Sequence, residues 1–242
     1  CGGFSSDILA GMKWAVGLSV PGVPRNPNPA KVLNLSLGGE GPCSDFEQQT
    51  INEVVATGAV VVASAGNGSG SIDSPANCNN VISVAAVGRD GALADYSNTG
   101  PSVTISAPGG TGFDGINTTN NTGLSNPGSD SYATLQGTSV TAPQVTAAVA
   151  LMLSANPNAS AAQIRSVLKS SARAFPDSSC NTSNCGAGLL DIAAAVKAAA
   201  GLPLDNSSNT SSGGGGGCTV RGTDHVDPLF PGIVLIACWV LL

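Results

Sequence analysis

Apolar residues along the chain fall into short blocks of two kinds, and the two kinds alternate. In "FSSDILAGMKWAVGLS" (residues 4–19), Ile8, Leu9, Met12, Ala15 and Val16 recur at the spacing of a helix with one buried face. "PGVPRNPNP" follows, and proline cannot continue a helix. "KVLNLSL" reads as a strand stopped by Gly38 and Gly39. Ser44-Asp45-Phe46-Glu47 has the form of a capping box, in which serine and glutamate satisfy each other's end of a helix start, so "FEQQTINEVVATG" is expected to be helical. "AVVVASAGN" is apolar throughout rather than alternating, as in a parallel strand covered by helices on both faces. "VISVAAV" and "SVTISAPG" read as two further strands, and residues 111–136, rich in Gly, Asn and Thr, as a loop or hairpin. "GTSVTAPQVTAAVALML" (residues 137–153) is a turn running into an apolar helix. Ser160-Ala161-Ala162-Gln163 is a second capping box, opening "AAQIRSVLKSSA", and "LLDIAAAVKAAA" reads as a last helix. No internal repeat is visible. This order of helices and strands implies an α/β fold, a doubly wound and mainly parallel sheet with helices on both faces.

Composition sharpens the picture. The 242 residues suffice for one domain with a sizeable core and a tail. The chain opens on Cys1 with neither an initiator methionine nor a signal peptide, which reads as a fold incomplete at its N-terminus. Only 10% of residues are charged, the net charge is −6, and no Lys/Arg run exists to neutralise phosphates, which argues against a nucleic-acid partner. The 42% hydrophobic residues cluster in runs, so a packed small-residue domain is expected over residues 1–200. Residues 201–217, with "DNSSNTSSGGGGG", have the composition of a flexible linker. Residues 218–242 form a Cys-led tail ending in 15 residues from Pro228 to Leu242 that are mostly apolar, short of the ~20 that a spanning helix needs.

Seven cysteines without CxxC metal spacing favour an oxidised, exported protein over one with reduced structural cysteines. Cys180 and Cys185 close the short loop "CNTSNC"; Cys43 and Cys78 bracket one strand unit and could bridge. Cys1 either belongs with a cysteine in a missing segment or pairs within the chain.

Three stretches carry candidate chemistry: "NLSLGG" (34–39), "VVVASAGNG" (60–68) and "GTSVTAPQVTA" (137–147). Each places small residues where an element ends or begins, at the sheet edge where open α/β folds bind ligands, and glycine there lets another backbone approach. Singly, each has a plainer reading: a Gly-Thr-Ser before a helix serves as an N-cap, an Asn after Ala-Gly as a turn residue, a Gly-Gly as a strand end. In this order and spacing, and with "SPANCNNVISVAAV", "DYSNTG", "ISAPGG" and "GAGLLD", they resemble the subtilisin-like serine peptidases (subtilases) over about residues 1–200. The resemblance is closer to proteinase K-like and secreted proteobacterial members than to subtilisin itself.

That resemblance implies a serine endopeptidase acting on protein or peptide substrates through an acyl-enzyme on Ser139, with Asn67 as the side-chain oxyanion donor. Residue chemistry agrees: a serine at a helix N-terminus sits at the positive end of the dipole, and its own N–H can face an oxyanion. Ser36, Leu37 and Gly38 resemble the edge that pairs with an extended substrate, and Ser64, Ala65 and Gly66 one wall of the primary specificity pocket. Both suit recognition by strand addition. In subtilisin the triad runs Asp, His, Ser along the chain, so the base and the residue that orients it are expected before Cys1. The only histidine, His225, lies beyond the glycine linker and is a poor substitute. The 242 residues alone are therefore expected to be inactive. The alternatives are a catalytically dead peptide-binding module and an envelope-anchored structural protein.

Three positions depart from the family pattern: Gln144 stands for histidine, Val140 for methionine, and Thr104 for an aspartate of a frequent calcium site. No metal or cofactor is assigned to this chain on that basis; calcium is allowed only in the missing N-terminal part. The resemblance also implies a propeptide in the precursor and a cis bond at Ser74–Pro75. "GGGGGC" with the following tail resembles bacterial Gly-Cys-type sorting signals, implying a secreted or cell-envelope location and possible membrane association; the plainer reading is an exposed apolar tail.

Overall fold

The computed structural model describes residues 3–112 and 114–201. Cys1, most of the linker, Cys218, His225 and the apolar tail lie outside the described residues. Helix α1 (Ser5–Ala15) buries Leu9, Met12 and Ala15, the expected face, but ends before the 4–19 span does. The cause is Gly17, at φ +82°. Its N–H donates to the Trp14 carbonyl and the Leu18 N–H to the Lys13 carbonyl, each at 2.9 Å, a pairing that closes the helix before the prolines are reached. The other helices are α2 (Asp45–Ala56), α3 (Thr138–Ala155), α4 (Ala161–Ser170) and α5 (Ile192–Ala199). Both capping boxes form: Ser44 with Glu47 opens α2, and Ser160 with Gln163 opens α4. The last helix is shorter than "LLDIAAAVKAAA", because Asp191 caps it by accepting from the Ala194 N–H at 2.9 Å. Leu189 bridges instead to Arg173 and Ser106.

Strands β1 (Val32–Leu35), β2 (Val60–Ser64), β3 (Val81–Val87) and β4 (Ile105–Pro108) form one sheet in that spatial order, every neighbouring pair parallel. Register sets Val32 opposite Val60, Val61 opposite Val81 and Val84 opposite Ile105, so all four strands end at one edge. Successive side chains alternate between two buried faces. Val61, Ala63, Val81 and Ala85 pack with Leu9 and Met12 of α1 and Ile51 and Val54 of α2. Val60, Val62, Ile82, Val84 and Ile105 pack with Val145, Val149 and Met152 of α3, Ile164 and Leu168 of α4, and Ala195 of α5. This two-sided burial is why β2 and β3 read as unbroken apolar runs. Residues 111–136 contain an antiparallel hairpin, β5 (Ile116–Asn121) with β6 (Asp130–Leu135), much of it exposed.

Cys43 is bridged to Cys78 and Cys180 to Cys185, with Cα separations of 5.1 and 5.4 Å. The first ties the segment after β1 to the segment before β3; the second packs with Val87, Leu93, Phe175 and Leu189. Ser74–Pro75 is cis. The two bridges close loops of different length, with sequence separations of 35 and 5. Chain entropy then assigns about 4 kcal/mol to the first and about 2 kcal/mol to the second. Urea unfolding of the protein is expected to show a larger loss for Cys43→Ser/Cys78→Ser than for Cys180→Ser/Cys185→Ser. Equal losses would contradict the loop-entropy account.

Candidate active site

The ends of β1 and β2 and the first turn of α3 meet at the C-terminal edge of the sheet, and Thr138 joins two of them. Its N–H and Oγ1–H both donate to Oδ1 of Asn67, at 2.8 and 2.9 Å, while its Oγ1 accepts the Gly66 N–H at 3.1 Å. A backbone N–H can only donate, so the Asn67 oxygen must face Thr138. The amide Nδ2 is thereby turned to the other side. That side holds Ser139. A Cβ placed on Gly137 would stand 3.1 Å from Ser139 Oγ and 3.3 Å from Asn67 Nδ2, so both polar groups converge on the space above this glycine. Gly137 has φ +140°, a backbone that L side chains rarely adopt, so conformation and close approach both require glycine here.

Ser139 is the second residue of α3, whose N-cap, Gly137, offers no side chain. Neither Oγ nor the N–H of Ser139 has a hydrogen-bond partner among the described residues. A hydroxyl, a helix-terminal N–H and an amide donor therefore lie together in the positive field of an 18-residue helix. The Ser139 carbonyl is held separately. Its intrahelical partner would be the N–H of residue 143, which is Pro143, inside the helix. The vacant carbonyl accepts from Ser36 Oγ at 2.8 Å. Ser36 Oγ in turn accepts from Asn34 Nδ2 at 2.9 Å, and Asn34 Oδ1 accepts from Thr146 Oγ1 at 2.9 Å. Through this run of bonds β1 fixes the height of the first turn of α3.

The turn before α3 is anchored by Tyr96. Its hydroxyl lies 2.8 Å from the carbonyls of Gly109 and Gly110 and accepts the Gly137 N–H at 3.1 Å. Burial pushes this phenol up to about 12, with the Asp95 carboxylate adding to the shift and the Gly137 donor opposing it. The raised value keeps the phenol protonated near neutral pH. Asn98 organises the loop after Asn67: its Oδ1 accepts from the Gly68 and Gly70 N–H groups, both at 2.9 Å.

Beyond β1, Ser36 and Leu37 are half-buried and Gly38 is exposed, and Gly39 pairs with Ser74 through two backbone hydrogen bonds of 2.9 and 3.0 Å. Across from them, the Ser64 and Ala65 side chains are buried, and only from Gly66 onward does that stretch open to solvent. The Ala65 backbone is itself engaged, its N–H donating to the Val84 carbonyl at 3.0 Å and its carbonyl accepting from the Asp73 N–H at 2.9 Å. Gln144 donates from Nε2 to the Pro108 and Val140 carbonyls at 2.7 and 2.8 Å, tying β4 to α3, which is a packing role. Val140 is buried behind Ser139. Thr104 is buried just before β4, its Oγ1 accepting the Ser83 N–H at 3.2 Å. Among the described residues no group of three His, Cys, Asp or Glu side chains is arranged to hold a metal. Sequence reasoning missed Thr138, Tyr96, Asn98 and Asp73. Thr138 was concealed because Gly-Thr-Ser invites attention to its serine, and Tyr96 and Asn98 because "DYSNTG" has no periodicity that announces its contacts.

The sequence profile of the subtilase family matches residues 1–207. The chain is 46% identical over 202 residues to an "Extracellular protease" of Xanthomonas campestris pv. campestris, covering 82% of this chain and 34% of that protein. It is 43% identical over 157 residues to the "Extracellular basic protease" of Dichelobacter nodosus, covering 64% of this chain and 25% of that one. Against Subtilisin Savinase of Lederbergia lenta the identity is 35% over 196 residues, 81% of this chain and 63% of the other. The chain thus spans about a third and a quarter of the first two relatives' lengths. Among solved structures, one described as proteases from Pseudoalteromonas arctica PAMC 21717 superposes with a TM-score of 0.79 at 48% identity, over 82% of this chain and 60% of that one. A lanthipeptide protease superposes with a TM-score of 0.64 at 24% identity, a likeness of fold alone. With the family profile spanning the whole described domain and Ser139, Asn67 and Gly137 assembled at its sheet edge, the chain belongs to the subtilase family.

Proposed function

We propose that this chain carries the nucleophile, the oxyanion donors and the substrate-binding edges of an exported serine endopeptidase. The observation that carries the reading is the amide of Asn67, whose oxygen is held by two donors of Thr138 so that its Nδ2 faces the unengaged hydroxyl of Ser139. In the proposed reaction Ser139 Oγ attacks the carbonyl carbon of a peptide bond, and its proton passes to a general base. Negative charge develops on the carbonyl oxygen and is accepted by Asn67 Nδ2–H and the Ser139 N–H. Collapse expels the amine, which takes the proton from the base and leaves an ester on Ser139. Water, deprotonated by the same base, then releases the carboxylic acid and restores the hydroxyl. The chain has one histidine, His225, outside the described residues. We assign the base and its orienting aspartate to sequence upstream of Cys1, as in the family's chain order. Export is supported by the relatives named extracellular proteases and by the two bridges. A propeptide, and attachment to the envelope through residues 218–242, belong to the same proposal.

Ser139 is expected to take up one equivalent of a fluorophosphonate probe in the full-length gene product and none in the 242-residue chain alone, with Ser139→Ala abolishing the label. Rapid labelling of the 242-residue chain would refute the upstream assignment of the base. No labelling of the full-length protein, despite an intact fold, would favour a peptide-binding module without catalysis.

Oxidation supplies a second check. The chain's two methionines, Met12 and Met152, are 3% and 0% exposed, and Val140 beside the nucleophile carries no sulfur. Val140→Met would place an oxidisable thioether there, and its sulfoxide would crowd the serine, where a shift of about 1 Å can cost ~10²-fold in rate. The full-length enzyme is expected to retain activity in hydrogen peroxide and Val140→Met to lose it, with the added oxygen found by mass spectrometry on residue 140. Equal, rapid inactivation of both forms would place the damage elsewhere.

A further inference from the structure

A charged residue stands beside both of the proposed substrate-binding edges. Asp73 lies between them. Its N–H donates to the Ala65 carbonyl at 2.9 Å, and the next residue, Ser74, pairs with Gly39, so the Asp73 backbone is tied to both edges. Its side chain reaches both glycines. A Cβ on Gly66 would come within 2.2 Å of Asp73 Oδ2, and one on Gly38 within 3.1 Å of Asp73 Cβ. The carboxylate therefore rests directly against the Gly66 backbone, in space that any side chain there would fill, and Gly66 at φ +108° is kept as glycine by its conformation as well.

The electrostatics of this carboxylate are lopsided. Asp73 Oδ1 accepts from Asn98 Nδ2 at 3.1 Å, while Oδ2 has no donor among the described residues. Neither the Lys13–Glu53 nor the Arg173–Asp191 ion pair involves Asp73, and no cation among the described residues is seen acting on its carboxylate. The nearby charge is Glu40, of the same sign; partial burial first and Glu40 second push the Asp73 carboxyl above its ordinary value. A half-buried carboxylate with one free oxygen, a like charge beside it and no counterion seen among the described residues attracts a cation.

We propose that Asp73 determines primary specificity, receiving a lysine or arginine side chain of the substrate between the Gly38 and Gly66 edges. This rests on the peptidase reading above, which supplies the scissile bond at Ser139. The plainer role for Asp73 is to hold Asn98, and through it the Gly68–Gly70 loop, in place. Such a role acts on all substrates alike.

The test uses the full-length gene product and peptide coumarylamides that differ only at the residue preceding the cleaved bond: arginine, citrulline, which has the same shape without the charge, and leucine. Rates are normalised to the serine labelled by fluorophosphonate, so that misfolded protein is not counted. The arginine-to-citrulline ratio of kcat/KM is expected to fall by about 10²-fold in Asp73→Asn, because only the charge–charge interaction is removed. An unchanged ratio, with the peptides still cleaved, would overturn the role of Asp73 and leave the peptidase reading standing. If Asp73→Asn does not fold, wild-type cleavage sites in a denatured protein, mapped by mass spectrometry, decide the matter. Cuts concentrated after Lys and Arg support the proposal, and cuts spread over apolar residues overturn it. Absence of both cleavage and labelling in the wild type would remove the peptidase reading and this inference together.

Discussion

Thr138 couples the end of β2 to the start of α3, and the geometry of the site depends on that coupling. The residue is 1% exposed, so water cannot replace its partners, and each buried polar group left unpaired costs about 1–3 kcal/mol. Two of its donors hold the oxygen of Asn67, and its hydroxyl oxygen accepts from Gly66. One threonine thus fixes which way an exposed amide points and how far the Gly66 backbone stands from the helix. Pro143 contributes by omission: lacking an N–H, it leaves the Ser139 carbonyl for Ser36, and β1 is joined to the same helix turn.

Placement of the site follows from the parallel sheet. Parallel strands all point their C-terminal ends to one edge, so the residues just beyond β1 and β2, which end nearly level, share one rim, and α3 packs across the sheet with its N-terminus there. The helix contributes partial positive charge at Ser139, while beside Gly38 and Gly66 Asp73 and Glu40 contribute negative charge. The same rim thus carries hydrogen-bond donors at Ser139 and Asn67 and, at Asp73 and Glu40, carboxylates.

Much of the fold was legible because its signals are local. Two capping boxes, the 3.6-residue spacing in α1 and the unbroken apolar runs of β2 and β3 each state an element within a dozen residues. Ends of elements were read less well: Gly17 stops α1 and Asp191 starts α5, and both were passed over inside longer apolar stretches. Ser139 and Asn67 could be picked out because small residues crowd around them in the sequence, although their roles were carried by resemblance. What holds them could not be seen. Thr138 meets Asn67 across 71 positions and Ser36 meets Ser139 across 103, and no pattern along one chain encodes such pairs. Asp73 was hidden for the same reason, since its significance lies in standing between Gly38 and Gly66.

The central claim is that Ser139 and Asn67 form one site, a nucleophile with its oxyanion donors, oriented by Thr138. The most direct measurement is a crystal structure of the full-length gene product after reaction with a fluorophosphonate. The account predicts phosphorus bonded to Ser139 Oγ and the phosphoryl oxygen about 2.7–3.1 Å from both Asn67 Nδ2 and the Ser139 N–H nitrogen, with Asn67 Oδ1 still accepting from Thr138. A phosphoryl oxygen turned away from Asn67, or an Asn67 amide released from Thr138 in the adduct, would contradict it.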